Sequence, residues 1–477
     1  MHILQATSEF YPYSKTGGLA DMVAGLSGEL ASQGHKITVV TPLYKETRFL
    51  VGKSIGKGFP FELDLGKASV NGRFIPLQTE SGINIYFVEH EGFFDRNGVY
   101  MENGEGYPDN PDRYIFFSKA VCQLTEFLAA KPDILHCHDW QTAFVPLLNE
   151  GRIPNCLTIH NLAYQGECEL SKFKLTNLPE KYLTSQYAEY FGKLNPLKAG
   201  IVSADVLTTV SPGYAREIVT KEFGEGLEGE LQSRGNCLRG VLNGVDYSQW
   251  RTENNPNLSH GYNVNNLEGK GANKRELLDY LNMPNSYEVP LFCYIGRIAE
   301  QKGLHLLLDT IKHWLPFVDA RFVLLGTGDG NLESQFKLLS TQMPNKVRVL
   351  IEYNEKLAHR IKAAADFFLM PSKYEPCGLN QIYSLRYGTI PIVHNVGGLG
   401  DTVKSINTDC NAGNGFIFNE HTITDFTNGI KEAFKFYRFK NDLNTARKRG
   451  MNEDFGWESS AREYTDIYNQ IKQALPA

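Results

Sequence analysis

The stretch 1–41 commits this chain to a parallel sheet. His2-Ile3-Leu4-Gln5-Ala6 is an apolar run that reads as a strand. Leu19, Val23, Leu26 and Leu30 then recur at helical spacing, and Gly34 stands where a helix stops. The run 35–41, HKITVVT, is rich in β-branched residues and reads as a second strand. Strand, helix and strand in so short a span imply a crossover between parallel neighbours.

The same grammar recurs. Residues 83–88, 133–137, 156–160 and 205–209 read as strands, and 114–129 as a helix. In the second half, 291–295, 321–325, 347–351, 367–370 and 390–394 read as strands, each separated from the next by a helix. The repetition is architectural, with no repeated sequence. Residues 162–195 are irregular, aromatic and polar, and are expected to form an insertion beside a cleft. The stretch 246–273 is polar and rich in Asn and Gly. It marks the expected boundary between an N-terminal domain, 1–245, and a C-terminal domain, 246–456. The segment 457–477 is expected to be a helix that crosses back to the first domain. The predicted fold class is α/β, with two Rossmann-like domains facing a central cleft.

With 477 residues the chain exceeds one compact core. Its net charge of −6 gives no general attraction to nucleic acid or to an anionic membrane. Eight cysteines at scattered spacing fit reduced thiols in the cytoplasm. The run His136-Cys137-His138-Asp139 hints at a metal, but no second ligand pair has a structural-site spacing. Neither a signal peptide nor a membrane span is expected.

The chemistry-bearing residues gather at predicted strand ends. Glu375 and Gly378 lie between the run 367–371 and a helical pattern that begins near Leu379. The amides of Gly378, Leu379 and Asn380 suit a phosphate, with Glu375 in reach of an attached sugar. Lys15-Thr16-Gly17-Gly18 follows the first strand and suits a close anion; its alternative is a tight turn with a surface lysine. Arg297 and Lys302 flank another strand-to-helix loop and suit a diphosphate; the alternative is a solvated loop paired to Glu300. Asp139 and His160 each follow an apolar strand, where they either bind sugar hydroxyls or serve the core. Gly326-Thr327-Gly328-Asp329-Gly330 is either a ligand loop or a tight turn. Tyr353 either stacks on a base or packs inside.

Taken together these segments resemble the bacterial glycogen synthase and plant starch synthase family. The resemblance rests on Ser8-Glu9 with the 15–21 run KTGGLAD, His138-Asp139-Trp140, and the 158–166 run THINLAYQG. It continues through Leu242 to Asp246, Gly296 to Gly303, Glu375 to Gln381, and Gly397 to Leu399 with Asp401 to Val403. It implies a GT-B fold and transfer of glucose from ADP-glucose to the 4-OH at the non-reducing end of an α-1,4-glucan. Anomeric configuration would be retained, with no cofactor and no metal ion. It further implies Lys15 and Gly18 at the donor diphosphate, and Arg297 and Lys302 at the departing ADP. The 378–380 amides would hold phosphate, Glu375 the glucose, and Tyr353 the adenine. His160 and Asp139 would line the glucose and acceptor side.

Two positions depart from the family pattern. Many retaining GT-B enzymes carry a second Glu eight residues after the first, where this chain has Tyr383. Glu375 is therefore expected to position the sugar during a front-face displacement. Gln141 stands where the family often has His, which bears on the acceptor side. The alternatives left open are a UDP-glucose donor on the same fold and a catalytically silent glucan-binding protein.

Overall fold

The computed structural model describes residues 1–52, 56–283 and 287–474, so the last three residues of the predicted segment 457–477 lie outside it. The chain divides into two compact units. The first is Met1–Gly244 together with the segment from Trp457; the second is Val245–Gly456.

The first unit is built on a nine-stranded sheet. Its strands are β1 (His2–Ala6), β2 (Lys36–Pro42), β3 (Phe59–Leu65), β4 (Ala68–Gln78), β5 (Asn84–Glu89), β6 (Ile134–His138), β7 (Asn155–Ile159), β8 (Val206–Thr209) and β9 (Leu238–Gly240). They lie in the order β9-β8-β7-β6-β1-β2-β5-β4-β3. Seven of them, from β9 through β5, run parallel, while β4 is antiparallel to both β5 and β3. Helix α1 (Gly18–Ser32) buries Leu19, Val23, Leu26 and Leu30, the face its spacing predicts.

Residues 162–195 are less irregular than their sequence suggests. They hold a small antiparallel sheet made of Cys168–Glu169, Glu189–Tyr190 and Lys193–Leu194. These strands are only two residues long, too short for periodicity to register.

The second unit carries six parallel strands: β10 (Leu291–Ile295), β11 (Arg321–Leu325), β12 (Val347–Leu350), β13 (Phe367–Met370), β14 (Ile390–His394) and β15 (Phe416–Phe418). Their order is β12-β11-β10-β13-β14-β15. Both faces of such a sheet are covered, so its strands are continuously apolar. Helices α2 (Glu355–Ala364) and α3 (Asn380–Arg386) flank β13 in sequence.

The last helix, α4 (Trp457–Ala474), belongs to the first unit's core. Trp457, Ala461, Tyr464, Ile467 and Tyr468 pack with Leu19, Val23 and Leu26 of α1. Room for Trp457 depends on glycine. A Cβ at Gly25 would stand 2.1 Å from the indole nitrogen, and one at Gly244 would stand 2.7 Å from the Trp457 Cα.

Candidate active site

Each sheet has one place where consecutive strands depart to opposite sides. In the first unit it lies between β1 and β6; in the second it lies between β10 and β13. Loops at the carboxyl ends of the two strands flanking such a point leave a crevice between them, where open α/β sheets bind ligands. Lys15 and Gly18 follow β1, Asp139 follows β6, Arg297 and Lys302 follow β10, and Glu375 to Asn380 follow β13, whereas His160, the 326–330 run and Tyr353 follow β7, β11 and β12.

In the first unit β1 runs into Thr7-Ser8-Glu9, all buried. The Glu9 carboxylate accepts hydrogen bonds from the Thr16 and Gly17 amides, from Thr16 Oγ1 at 2.6 Å and from the Tyr100 hydroxyl at 2.7 Å. Gly17 is the N-cap of α1 and has no side chain, and Glu9 fixes the turn that leads into the helix. The amides that Glu9 engages precede Gly18, the first residue of α1. Lys15 pairs with Asp21 at 2.8 Å, and its ammonium lies 5.3 Å from the centre of the Tyr11 ring. A Cβ at Gly17 or Gly18 would meet nothing within 4 Å, so the backbone there borders open space.

After β6 the chain turns sharply at Asp139, whose φ of 57° and ψ of −173° form a combination left almost entirely to glycine. Asp139 Oδ1 accepts from the His160 amide at 2.7 Å, which joins the ends of β6 and β7. Burial pushes the Asp139 carboxyl up to about 7. Amide hydrogen bonds from His160 and Asn161 oppose that shift, and the Glu9 charge adds to it. Burial pushes the His160 imidazole down to about 3. Trp140, next in sequence to Asp139, lines a hollow of about 560 Å³ together with Tyr107, Asn110, Glu167, Glu169 and Lys172. Gly166 borders it because the Trp140 ring would stand 2.3 Å from a Cβ there.

In the second unit Lys302 and Glu375 meet. The Lys302 ammonium lies 2.8 Å from Glu375 Oε1 and 2.6 Å from Oε2. Ser372 Oγ donates to Oε2 at 3.0 Å. The Glu375 side chain is 6% exposed and that of Lys302 20%, so this carboxylate is nearly dry and its partner reaches solvent. Gly378 has φ +67°, and a Cβ there would meet Gln381 Oε1 at 2.6 Å. Arg297 is exposed and reaches Gln301 Oε1 at 3.4 Å. Tyr353 is 82% exposed, which removes the packed-interior alternative.

Asn380 opens α3 and is held at both ends of its side chain. Its Oδ1 accepts from the buried Lys362 ammonium at 2.9 Å, and its Nδ2 donates to the Ile295 carbonyl at 3.0 Å. Sequence reasoning assigned no role to Lys362, Glu9, Ser372 or His138, although Glu9 and His138 stand in the segments that carry the resemblance. Glu9 had a legible signal, a carboxylate directly after a buried strand. Lys362 had none.

Within 326–330, Gly326 and Gly328 stand where packing leaves no room for a side chain, while a Cβ at Gly330 would meet nothing within 4 Å. A Cβ at Gly326 would meet the Gly296 carbonyl at 1.9 Å, and one at Gly328 the Ile298 carbonyl at 2.1 Å. Tyr383 stacks on Trp250 with ring centres 4.0 Å apart and 10° between planes. Among the described residues, no group of three or more His, Cys, Asp or Glu side chains is placed to hold a metal ion, and Cys137 is buried. No described helix is long and apolar enough to cross a membrane.

Two Rossmann-like units, each with polar groups gathered at its strand-order reversal, have the architecture of the GT-B fold. Residues 2–233 match the family model of the starch synthase catalytic domain, and 284–449 that of the group 1 glycosyl transferases. The chain is 40% identical to the glycogen synthase of Koribacter versatilis and 38% identical to that of Clostridium novyi, in each case over 99% of both chains. The catalytic domain of starch synthase IV from Arabidopsis thaliana, bound to ADP and acarbose, superposes with a TM-score of 0.88 at 31% identity over 99% of both chains. The chain belongs to the glycogen and starch synthase family.

Proposed function

We propose that the protein is a glycogen synthase that uses ADP-glucose. It transfers glucose to the 4-OH at the non-reducing end of an α-1,4-glucan and retains anomeric configuration. The observation that carries this reading is the Lys302–Glu375 pair at the strand-order reversal of the second unit. The ADP in the Arabidopsis relative supports the choice of base, and its acarbose supports a glucan acceptor.

Lys302, with Arg297, stabilises the charge that grows on the departing ADP, where fixed cations act most strongly. Lys15 and Gly18 lie along the diphosphate, and the amides of Gly378, Leu379 and Asn380 receive a phosphate. Tyr353 offers an exposed ring to adenine. Glu375 holds glucose hydroxyls. Both of its oxygens are engaged by Lys302, and the position eight residues on carries a tyrosine packed against Trp250, which favours positioning over nucleophilic attack. The C1–O bond to ADP breaks as the acceptor O4 bonds to C1 on the same face, and the O4 proton passes to the leaving phosphate oxygen. The Trp140 hollow, with two aromatic faces and several polar groups, suits acceptor sugar rings. Asp139 and His160 line the glucose and acceptor side. The reaction uses no metal ion or cofactor, and the eight free thiols fit the reducing cytoplasm.

The test is incorporation of labelled glucose into glycogen from ADP-glucose or UDP-glucose, with and without EDTA. Strong transfer from ADP-glucose despite EDTA is expected. Preference for UDP-glucose would overturn the choice of base, and loss with EDTA the metal-free mechanism. Glycogen binding without transfer from either donor would make the protein a silent binder.

A further inference from the structure

Three imidazoles lie in succession beneath the carboxyl end of the first sheet. His136 and His138 share one face of β6, with ring centres 4.1 Å apart, and the His160 ring follows 5.3 Å from His138. Burial holds all three well below the ordinary histidine range, so each is neutral near pH 7. A neutral imidazole has one N–H and one bare nitrogen, and its hydrogen-bond partners decide which is which.

The partners form a chain. Gln5 on β1 is wholly buried, and its Oε1 lies 2.7 Å from His138 Nε2. A carbonyl oxygen only accepts, so His138 carries its proton on Nε2. Its bare Nδ1 lies 3.1 Å from His160 Nε2 and takes a proton donor from that ring. Gln5 Nε2 is buried and makes no hydrogen bond. Tyr468 lies 2.7 Å from His136 Nδ1, and His136 Nε2 lies 2.6 Å from Thr158 Oγ1. No hydrogen bond reaches His160 Nδ1 among the described residues, and that atom is not sealed from solvent.

We infer that Gln5 and His138 are positioning residues that set the tautomer of His160, so that its Nδ1 meets the substrate as a hydrogen-bond acceptor. An acceptor repels phosphate oxygens, which offer only lone pairs, and selects a hydroxyl. His160 therefore faces a sugar hydroxyl and does not protonate the leaving group. Only the naming of that hydroxyl rests on the proposed glucosyl transfer.

The test reads the tautomer directly, from nitrogen–proton correlations of protein labelled at histidine, without substrate. The His160 signals are assigned by their absence in His160→Asn. His160 is expected as the Nε2–H form in the unmodified protein, and as a mixture or the Nδ1–H form in Gln5→Met. Turnover of Gln5→Met from ADP-glucose is expected to fall about tenfold, mostly in kcat, with Gln5→Glu recovering part of it because an acceptor oxygen is restored. An Nδ1–H form in the unmodified protein would overturn the inference, whether or not the variants fold. An unchanged tautomer in Gln5→Met would remove Gln5 from the role. Absence of glucosyl transfer would sink the functional reading and leave the tautomer measurement standing.

Discussion

At the scale of single residues, two carboxylates at the strand-order reversals have opposite circumstances. Glu375 has a cation on both oxygens, whereas Asp139 has only amides. The Asp139 carboxyl titrates near 7 in the folded protein against 3.8 otherwise. Between those values the folded state holds the proton more tightly, so stability falls as pH rises and the loss is complete above about 7. Asp139→Asn keeps an acceptor for the His160 amide and never ionises. It should exceed the parent in denaturant stability by up to about 4 kcal/mol at pH 8 and by little at pH 4. A gain equal at both values would rule out the buried charge as its source. Lys302→Ala should lower turnover on the order of 10²-fold, by analogy with the loss of an oxyanion donor. Near-normal turnover would refute its assignment. Adding Glu375→Gln to that variant should restore stability without restoring turnover, because an amide has no charge to leave unpaired.

At the scale of elements, helix α2 carries a comparable cost of opposite sign. Lys362 is wholly buried and faces Asn380 and the rings of Trp250 and Phe368, and burial pushes its ammonium down to about 7. From about 7 to 10.5 the unfolded chain binds the proton that the folded one has lost, so stability rises with pH across that window. Lys362→Met should therefore show its greatest advantage near pH 6 and lose it toward pH 10, read by chemical denaturation. A difference that stays constant with pH would count against a buried charge. Elements of this kind explain what was legible. Continuous apolar runs such as Leu291–Ile295 and Phe367–Met370 announced the inner strands with accurate ends. The ribbon β3–β4 went unread although Phe61, Leu63 and Leu65 alternate with exposed Glu62 and Asp64, a period-2 pattern that marks a half-exposed antiparallel strand. The site was legible as positions at strand ends. Its pairings were not, because Lys302 and Glu375 stand 73 residues apart and no local pattern joins them.

At the scale of the whole molecule, the two units differ in how the chain supplies them. The second is one continuous piece, Val245–Gly456, with its own buried core. Expressed alone, it should fold cooperatively and bind ADP, checked by thermal unfolding with and without the nucleotide. Failure to fold would show that its core is insufficient. The first unit draws on two pieces. A chain ending at Gly456 lacks Trp457, Ala461, Tyr464, Ile467 and Tyr468 from that core and should keep only the second unit's unfolding transition. That outcome follows from the bulk removed, since large apolar side chains each contribute about 2–5 kcal/mol when buried.

Helix α4 also sets an order of events during synthesis. Translation runs from the N-terminal end, so the β-strands of the first unit leave the ribosome long before the residues that complete their core. The groove along α1 stays open, with Gly25 waiting for an indole, until the entire second unit has emerged. The domain begun first is the last to be finished, and the nascent chain spends that interval with its apolar groove exposed to whatever else is being made nearby.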